Sequence, residues 1–386
     1  MKNIIIAHGG APTAVINASL AGAIDEIKKS GFDGKIFAAR YGSKGLFTGD
    51  FIDLTNTTEE DIARLIKTSG SAIGSSRFPL YDKEYEQIVD NLIKNNIGYL
   101  LFTGGNGSMD GLGKIYEHAL KRNTTISCIG IPKTIDNDIK VTDHAPGFAS
   151  AARFMAQTCR DCAQDVKGLP IHVVIIEAMG RNAGWLTASA ALARNNKNDG
   201  PHLIYLPEVP FDKEQFLNDV KTMHEKYGGV LIVASEGIKD KDGNPICKAE
   251  NSTSRSSYFG EVANYLATLV TQELGIKARG EKPGIIGRCN SSCASEIDRE
   301  EAFLMGKTAA KAVLNGKNGF MSGIERISTN PYKIKPILIP IEDVMLVEAK
   351  LPNKYIAKNG HDVTDEFIEW LKPLVGELSD DISFLD

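Results

Sequence analysis

Short, uninterrupted apolar runs alternate along the chain with longer stretches in which apolar residues recur every three or four positions. The runs at Asn3 to Ala7, Lys35 to Ala39, Tyr99 to Thr103, Ile126 to Ile131, Val173 to Glu177, Leu203 to Leu206 and Val230 to Ala234 are β-branched or apolar almost throughout. That pattern predicts strands buried on both faces. Helical periodicity covers Glu59 to Thr68, Asp82 to Asn95, Met109 to Lys121, Phe211 to Tyr227 and Arg299 to Leu314, with Thr57 and Thr58 as candidate N-caps for the first of these. Strands alternating with helices imply a mostly parallel sheet covered on both sides, an α/β fold. No internal repeat and no low-complexity linker interrupts the pattern, so the two domains expected of 386 residues are predicted to interleave, with the chain crossing between them more than once.

Composition narrows the class without naming a partner. With 42% apolar residues, 24% charged residues and a net charge of −5, the chain offers no basic face for nucleic acid and no acidic tail. The apolar run begins almost at Met1, which leaves no room for a removable leader, and no stretch is long enough to span a bilayer. Six cysteines, at 128, 159, 162, 247, 289 and 293, are too sparse for a disulfide scaffold, so a reducing cytoplasm is expected. The pairs Cys159/Cys162 and Cys289/Cys293 could suggest zinc, but the first lies in a helical pattern and no histidines cluster beside either. Free thiols are the expected state.

Chemistry concentrates where predicted strands end, the side of an open parallel sheet on which ligands bind. His8-Gly9-Gly10-Ala11-Pro12-Thr13 leads into a helix, and adjacent glycines there let backbone N–H groups approach an anion. Thr103-Gly104-Gly105-Asn106-Gly107-Ser108 repeats that arrangement, lacking both the Gly-Lys-Ser ending of a Walker loop and the dinucleotide fingerprint, yet suited to a nucleotide or diphosphate. Pro132-Lys133-Thr134-Ile135-Asp136-Asn137-Asp138 sets two carboxylates two residues apart beside a cation, which suits one carboxylate deprotonating a hydroxyl while the other helps hold magnesium. Glu177 to Gly184 and Ser235-Glu236-Gly237 add an arginine and a glutamate able to share a sugar phosphate between charge and hydroxyl contacts.

These segments resemble the phosphofructokinase family, in the branch containing many pyrophosphate-dependent members. Further matches are Gly9 to Asn17, Gly74-Ser75-Ser76-Arg77-Phe78, Thr142-Asp143-His144-Ala145-Pro146-Gly147-Phe148, Met179 to Trp185 and Pro207-Glu208-Val209-Pro210-Phe211, in order from near Asn3 to near Pro373. The resemblance implies two Rossmann-like three-layer α/β domains: a donor domain over 1–140 and about 298–345, and a sugar-phosphate domain over 141–297 and 346–386. It implies Asp136 as the base for the C1 hydroxyl of fructose 6-phosphate, Asp138 as its acidic neighbour, Thr134 against the transferred phosphate and Arg77 on the donor phosphates. Gly9, Gly10, Phe78, Gly105, Asn106, Gly107, Ser108 and Lys133 complete the implied donor site. Thr134, Ile135, Asp136, His172, Met179, Gly180, Arg181, Glu236, Arg279 and Arg288 form the implied sugar site, with one of the 6-phosphate arginines supplied by a neighbouring subunit. A homodimer or homotetramer follows by implication, as does glycolytic phosphoryl transfer giving fructose 1,6-bisphosphate.

The chain departs from the family at several positions. His172 stands where many members have an arginine, Gly287 replaces a glutamine and Ile285 a histidine, which leaves sedoheptulose 7-phosphate open as the sugar. Two positions bear on the donor and conflict. Gly107 leaves room for the nucleoside of ATP, where an aspartate accompanies pyrophosphate use, whereas Lys133 resembles pyrophosphate users. Weighting the steric argument over the flexible lysine gives ATP as the expected donor and pyrophosphate as the alternative. Magnesium is the implied cofactor, held by Asn106 and Asp138 with Asp110 nearby, although an amide binds a hard cation less strongly than the aspartate common at position 106. Two other classes stand beside this reading: a catalytically silent sugar-phosphate sensor, opposed by the intact Asp136, Arg77 and Arg181, and a Rossmann oxidoreductase, opposed by the missing fingerprint.

Overall fold

The computed structural model describes residues 2–247, 249–253, 256–259, 261–345 and 347–380. In chain order the elements are β1 (Asn3–His8), α1 (Ile16–Lys29), β2 (Ile36–Ala39), α2 (Ser43–Thr48), β3 (Phe51–Asp53), α3 (Glu59–Lys67), α4 (Asp82–Lys94), β4 (Ile97–Gly104), α5 (Asn106–Lys121) and β5 (Ser127–Pro132). There follow α6 (Phe148–Gly168), β6 (Val173–Ala178), α7 (Trp185–Ser189), β7 (Leu203–Tyr205), α8 (Lys213–Tyr227), β8 (Val230–Ser235), β9 (Ala249–Thr253), β10 (Ser256–Phe259), α9 (Val262–Leu274) and β11 (Ala278–Glu281). The last are α10 (Ile285–Arg288), α11 (Glu296–Leu314), β12 (Phe320–Thr329), β13 (Tyr332–Pro340) and α12 (Asp365–Val375).

The chain divides into two compact units, 1–150 with 288–349 and 151–287 with 350–386. These cuts lie several residues along the chain from the boundaries expected at 140, 297 and 345. In the first unit the sheet runs β13-β12-β5-β4-β1-β2-β3, parallel at its centre and antiparallel only where β3 and β13 close its edges. Period-two alternation decides which way each side chain faces. Ile5, Ala7, Leu100 and Phe102 join a core roofed by α4 and α5, whereas Ile4, Ile6, Leu101 and Ile131 join one roofed by α1 and α11. Both faces are therefore covered, and the central strands need no polar alternation.

Local signals set several boundaries. Thr58 caps α3 by accepting from Asp61 N while the Asp61 side chain takes Thr58 N, a reciprocal capping box. Gly22 on α1 and Gly306 on α11 face backbone so closely that a Cβ at either would strike a carbonyl, Phe303 O or Ser19 O respectively. Those helices therefore pack backbone to backbone over the sheet.

The second unit holds a parallel sheet in the order β11-β6-β8-β7, packed through Val173, Ile175, Ile232 and Ala234 against Phe216, Val220, Leu266 and Val270. Tyr355, Phe367 and Trp370 from its C-terminal segment enclose Trp185 at the start of α7, the Trp185 and Trp370 rings lying 5.1 Å apart. The fold is α/β, as the alternating pattern implies. No disulfide joins the six cysteines, and among the described residues no helix is long and apolar enough to cross a membrane.

Candidate active site

In the first unit β1, β4 and β5 are adjacent parallel strands, so the segments after them emerge side by side. Backbone bonds fix these segments to one another: Gly9 N donates to Thr103 O at 2.8 Å, Gly10 N to Ser76 O at 3.2 Å and Lys133 N to Gly104 O at 2.9 Å. Gly9, Gly10, Ser76, Gly104 and Lys133 thereby share one frame. Close approach explains two of the glycines, because a Cβ at Gly9 or Gly104 would run into the Ser108 side chain. Asn106, Gly107 and Ser108 form the first turn of α5 after Gly105 as N-cap, at the positive end of a 16-residue helix. Arg77 is exposed, and neighbouring Phe78 stacks on Phe47 with 5.4 Å between centroids.

Lys133 is buried, and its Nζ donates to Ala11 O at 2.6 Å. Burial pushes its pKa down to about 8; Asp136 and Asp138 oppose this, while Arg288 and Arg77 add to it. Three cations and two carboxylates thus sense one another in this unit. His8 beneath the first loop contacts Ser71 Oγ through Nδ1 at 2.8 Å, and burial, with Lys133, lowers it to about 3, so it is neutral.

Asp136 lies half-buried in a turn built by its neighbours. Its N–H donates to Thr134 Oγ1 at 3.0 Å, and Asn137 adopts a left-handed φ of 51° while its Oδ1 accepts from Ala145 N at 3.0 Å. Thr134 N donates to Pro146 O at 3.2 Å. Segment 142–147 thus backs the segment carrying Asp136, and Asp298 of α11 secures it by accepting from Gly147 N at 2.8 Å and Ser150 N at 2.9 Å. Sequence reasoning missed Asn137, Asp298 and Ser150. Asp298 lies 148 residues from Ser150, and only an acidic residue in the first turn of a helix marked it.

The implied magnesium ligands meet. Asn106 Nδ2 donates to Asp138 Oδ2 at 2.9 Å and to Asp138 O at 3.0 Å, while Asn106 Oδ1, Asp138 Oδ1 and Asp110 Oδ1 are buried without a hydrogen-bond partner. Burial raises the Asp138 pKa and Glu348 adds to the rise, against bonds from Thr134 and Asn106. Oxygens left unpaired beside a carboxylate suit a hard cation. Among the described residues no three His, Cys, Asp or Glu side chains form a metal cluster, so these oxygens fit a magnesium that takes its other ligands from phosphate and water.

In the second unit the ends of β6 and β8 carry the implied sugar-binding residues. Gly180, at a φ of 115° open mainly to glycine, donates its N–H to Glu236 Oε1 at 3.3 Å, and Ser235 Oγ donates to Gly180 O at 2.8 Å. Arg181 Nε lies 3.9 Å from Glu236 Oε1, and Met179 precedes them half-buried. Burial raises the Glu236 pKa, opposed by the Gly180 bond and Arg181. Glu208, whose role the sequence left unassigned, accepts from Gly184 N at 2.8 Å and Leu351 N at 2.9 Å, pinning the far end of the same loop.

His172 is not brought to this end within one chain. It precedes β6, so the whole strand, about 20 Å at 3.3 Å per residue, separates it from Arg181. Arg279 pairs in register with Val174 toward that same amino end and is exposed. Arg288, the last residue of α10 and the first of the second segment of the first unit, has its Nε buried without a partner, and Ile135 is buried beside Asp136.

Comparison with known proteins turns these halves into a family assignment. The phosphofructokinase family model matches residues 3–313. A Rhodospirillum rubrum protein named pyrophosphate–fructose 6-phosphate 1-phosphotransferase is 39% identical, over 97% of this chain and 94% of its own. The crystal structure of a pyrophosphate-dependent phosphofructokinase from Nitrosospira multiformis superposes with a TM-score of 0.90 at 35% identity, covering 98% of this chain and 93% of that one. A sulfofructose kinase of Alkalicoccus urumqiensis is 34% identical over 96% of the chain and 95% of its own. By contrast, an ATP-dependent 6-phosphofructokinase of Lactobacillus acidophilus is 29% identical over 86% of the chain and 92% of its own.

ATP as the expected donor is therefore overturned: four relatives at 32–39% identity are named for pyrophosphate, and those named for ATP are more distant. Gly107 misled because the space beside it is real, with no atom within 4 Å of a Cβ built there, yet room for a nucleoside does not recruit one. Lys133, the position that pointed to pyrophosphate, is buried and held rather than free to swing aside. The glycine-lined loops at the ends of β1 and β4, the Asp136 turn and the match along nearly the whole length agree: this chain is a phosphotransferase belonging to the phosphofructokinase family.

Proposed function

We propose that the protein transfers a phosphoryl group reversibly from pyrophosphate to the C1 hydroxyl of fructose 6-phosphate, yielding fructose 1,6-bisphosphate and phosphate. The observation that carries this is the set of relatives, up to 39% identical over nearly the full chain, that are named for that reaction. The buried Lys133 supports it, as a cation fixed among loops that a short diphosphate can fill.

In this mechanism the loop carrying Gly9 and Gly10 borders the donor, whose phosphate oxygens accept from N–H groups at the first turn of α5. Asp136 takes the proton of the attacking hydroxyl, its carboxylate aimed by the bond from its own N–H to Thr134. Arg77 and Lys133 offset charge on the transferring group, and Thr134 contacts its oxygens. Asn106 and Asp138 would hold magnesium, which when bound neutralises the diphosphate and orients it. Met179, Gly180, Arg181 and Glu236 hold the sugar, Glu236 accepting from hydroxyls and Arg181 facing charge. Arg279, Arg288 and His172 take the 6-phosphate in a homo-oligomer, and six cysteines that form no disulfide support a cytoplasmic setting.

The test is initial rates with fructose 6-phosphate and magnesium at matched pyrophosphate and ATP concentrations. Faster turnover with pyrophosphate is expected, and faster turnover with ATP sinks the proposal. The sulfofructose kinase relative favours a second reading, in which a sulfonate replaces the 6-phosphate. Sulfofructose as the better acceptor would establish it.

A further inference from the structure

A second ionic cluster lies in the first unit, apart from the groups assigned to the reaction. His144 is completely buried, with Nδ1 2.8 Å from Asp143 Oδ2 and Nε2 2.5 Å from Glu301 Oε2 on α11. Glu301 also accepts from the Tyr332 hydroxyl of β13 through Oε1 at 2.5 Å. Asp143 is held by Arg326 of β12, from Nε at 3.1 Å and Nη2 at 2.9 Å, and that guanidinium lies 5.1 Å over the Tyr332 ring. One loop, one helix and two strands thus converge on a single imidazole.

Burying such a network gains little stability over apolar packing of the same volume, because desolvation consumes most of the attraction. Its return is geometric. His144 directly precedes the two residues that support the catalytic turn from behind, Ala145, whose N–H donates to Asn137 Oδ1, and Pro146, whose carbonyl accepts from Thr134 N. We propose that His144, clamped between Asp143 and Glu301 and braced by Arg326 and Tyr332, is a positioning residue that holds segment 142–147 so that Asp136 stands in its reactive orientation. The inference rests on the phosphotransferase reading of Asp136. Burial alone would make His144 neutral, but the Glu301 and Asp143 carboxylates override it and raise its pKa to about 9, so the clamp is an imidazolium across neutral pH.

The experiment compares the full-length wild type with His144→Gln and, because a buried substitution can impair folding, with Tyr332→Phe, which removes one rim hydroxyl. For each, kcat and KM are measured with pyrophosphate and fructose 6-phosphate, and hydrogen exchange is followed by mass spectrometry across the chain. His144→Gln is expected to lower kcat about tenfold or more with both KM values within about twofold, since misplacing a base acts on the transition state. Exchange should rise about tenfold in peptides covering 132–147 and stay unchanged elsewhere in the unit. Tyr332→Phe should move both readouts in the same direction by about threefold. An unchanged kcat in folded His144→Gln overturns the proposal, as does faster exchange spread evenly through the unit. If the wild type turns over no sugar phosphate, the phosphotransferase reading fails by itself, and exchange confined to 132–147 or spread beyond it still decides whether the clamp exists.

Discussion

The Lys133 ammonium bonds the Ala11 carbonyl oxygen at 2.6 Å, so the segment carrying the base is tied directly to the first glycine loop. Because burial places this lysine near pH 8, it loses its charge inside the range in which the enzyme can be assayed. KM for pyrophosphate should rise as pH increases above 8, by up to about tenfold per unit where the protonated form alone binds. Lys133→Met should raise KM at neutral pH and flatten that dependence. A wild-type KM constant from pH 7 to 9.5 would separate Lys133 from donor binding.

Asp136→Asn should lower kcat by at least about 10²-fold, as loss of a general base does, with fructose 6-phosphate affinity little changed. Steady-state rates with binding measured by calorimetry decide it. Activity within twofold of wild type excludes Asp136 as the base.

The unpaired oxygens of Asn106 and Asp138 should reveal themselves in metal titrations. Asp138→Ala should raise the magnesium concentration for half-maximal activity about tenfold or more, since a carboxylate ligand is lost outright. An unaltered requirement would place the metal on other ligands.

Stability should carry the signature of His144. The folded protein binds this proton more tightly, with a pKa of about 9 against the ordinary 6.5. Its stabilising effect is therefore complete below pH 6.5 and is lost as pH rises through 9. Thermal unfolding of wild type and His144→Gln should differ most near pH 6 and converge toward pH 10, and a constant difference would mean that His144 is uncharged in the folded state.

Gly107→Ala should stabilise the protein by about 0.5–1 kcal/mol, because the first turn of α5 gains a better helix former and nothing crowds the added methyl. Turnover with pyrophosphate should stay within about twofold. Denaturant unfolding and initial rates measure the two effects, and a large loss of turnover would show that the donor lies closer to this residue.

What was legible in the sequence follows from burial. β1, β4, β6 and β8 read as strands because both of their faces are covered and their residues are apolar without interruption. β11, reading Ala-Arg-Gly-Glu, is a short half-exposed edge with no such run, and β12–β13 carries an exposed Glu325–Lys335 pair within its alternation, so neither could be recognised. The glycine turns and the Asp136 segment stood out because their glycines and paired carboxylates lie within a few residues of one another. The groups that hold them, Asp298 and Glu301, come from a helix about 150 residues away, and no local pattern records that distance. The donor expectation leaned on Gly107, since one sequence cannot show that Lys133 is buried and held.

The aromatic group around Trp185 has an optical consequence. The chain contains just two tryptophans, Trp185 and Trp370, and their rings are neighbours directly after the loop that carries Met179, Gly180 and Arg181. All of the protein's indole emission therefore originates beside the proposed sugar-binding segment. A shift of that loop alters the surroundings of both fluorophores together, so the native chain reports on its own sugar half without an attached dye.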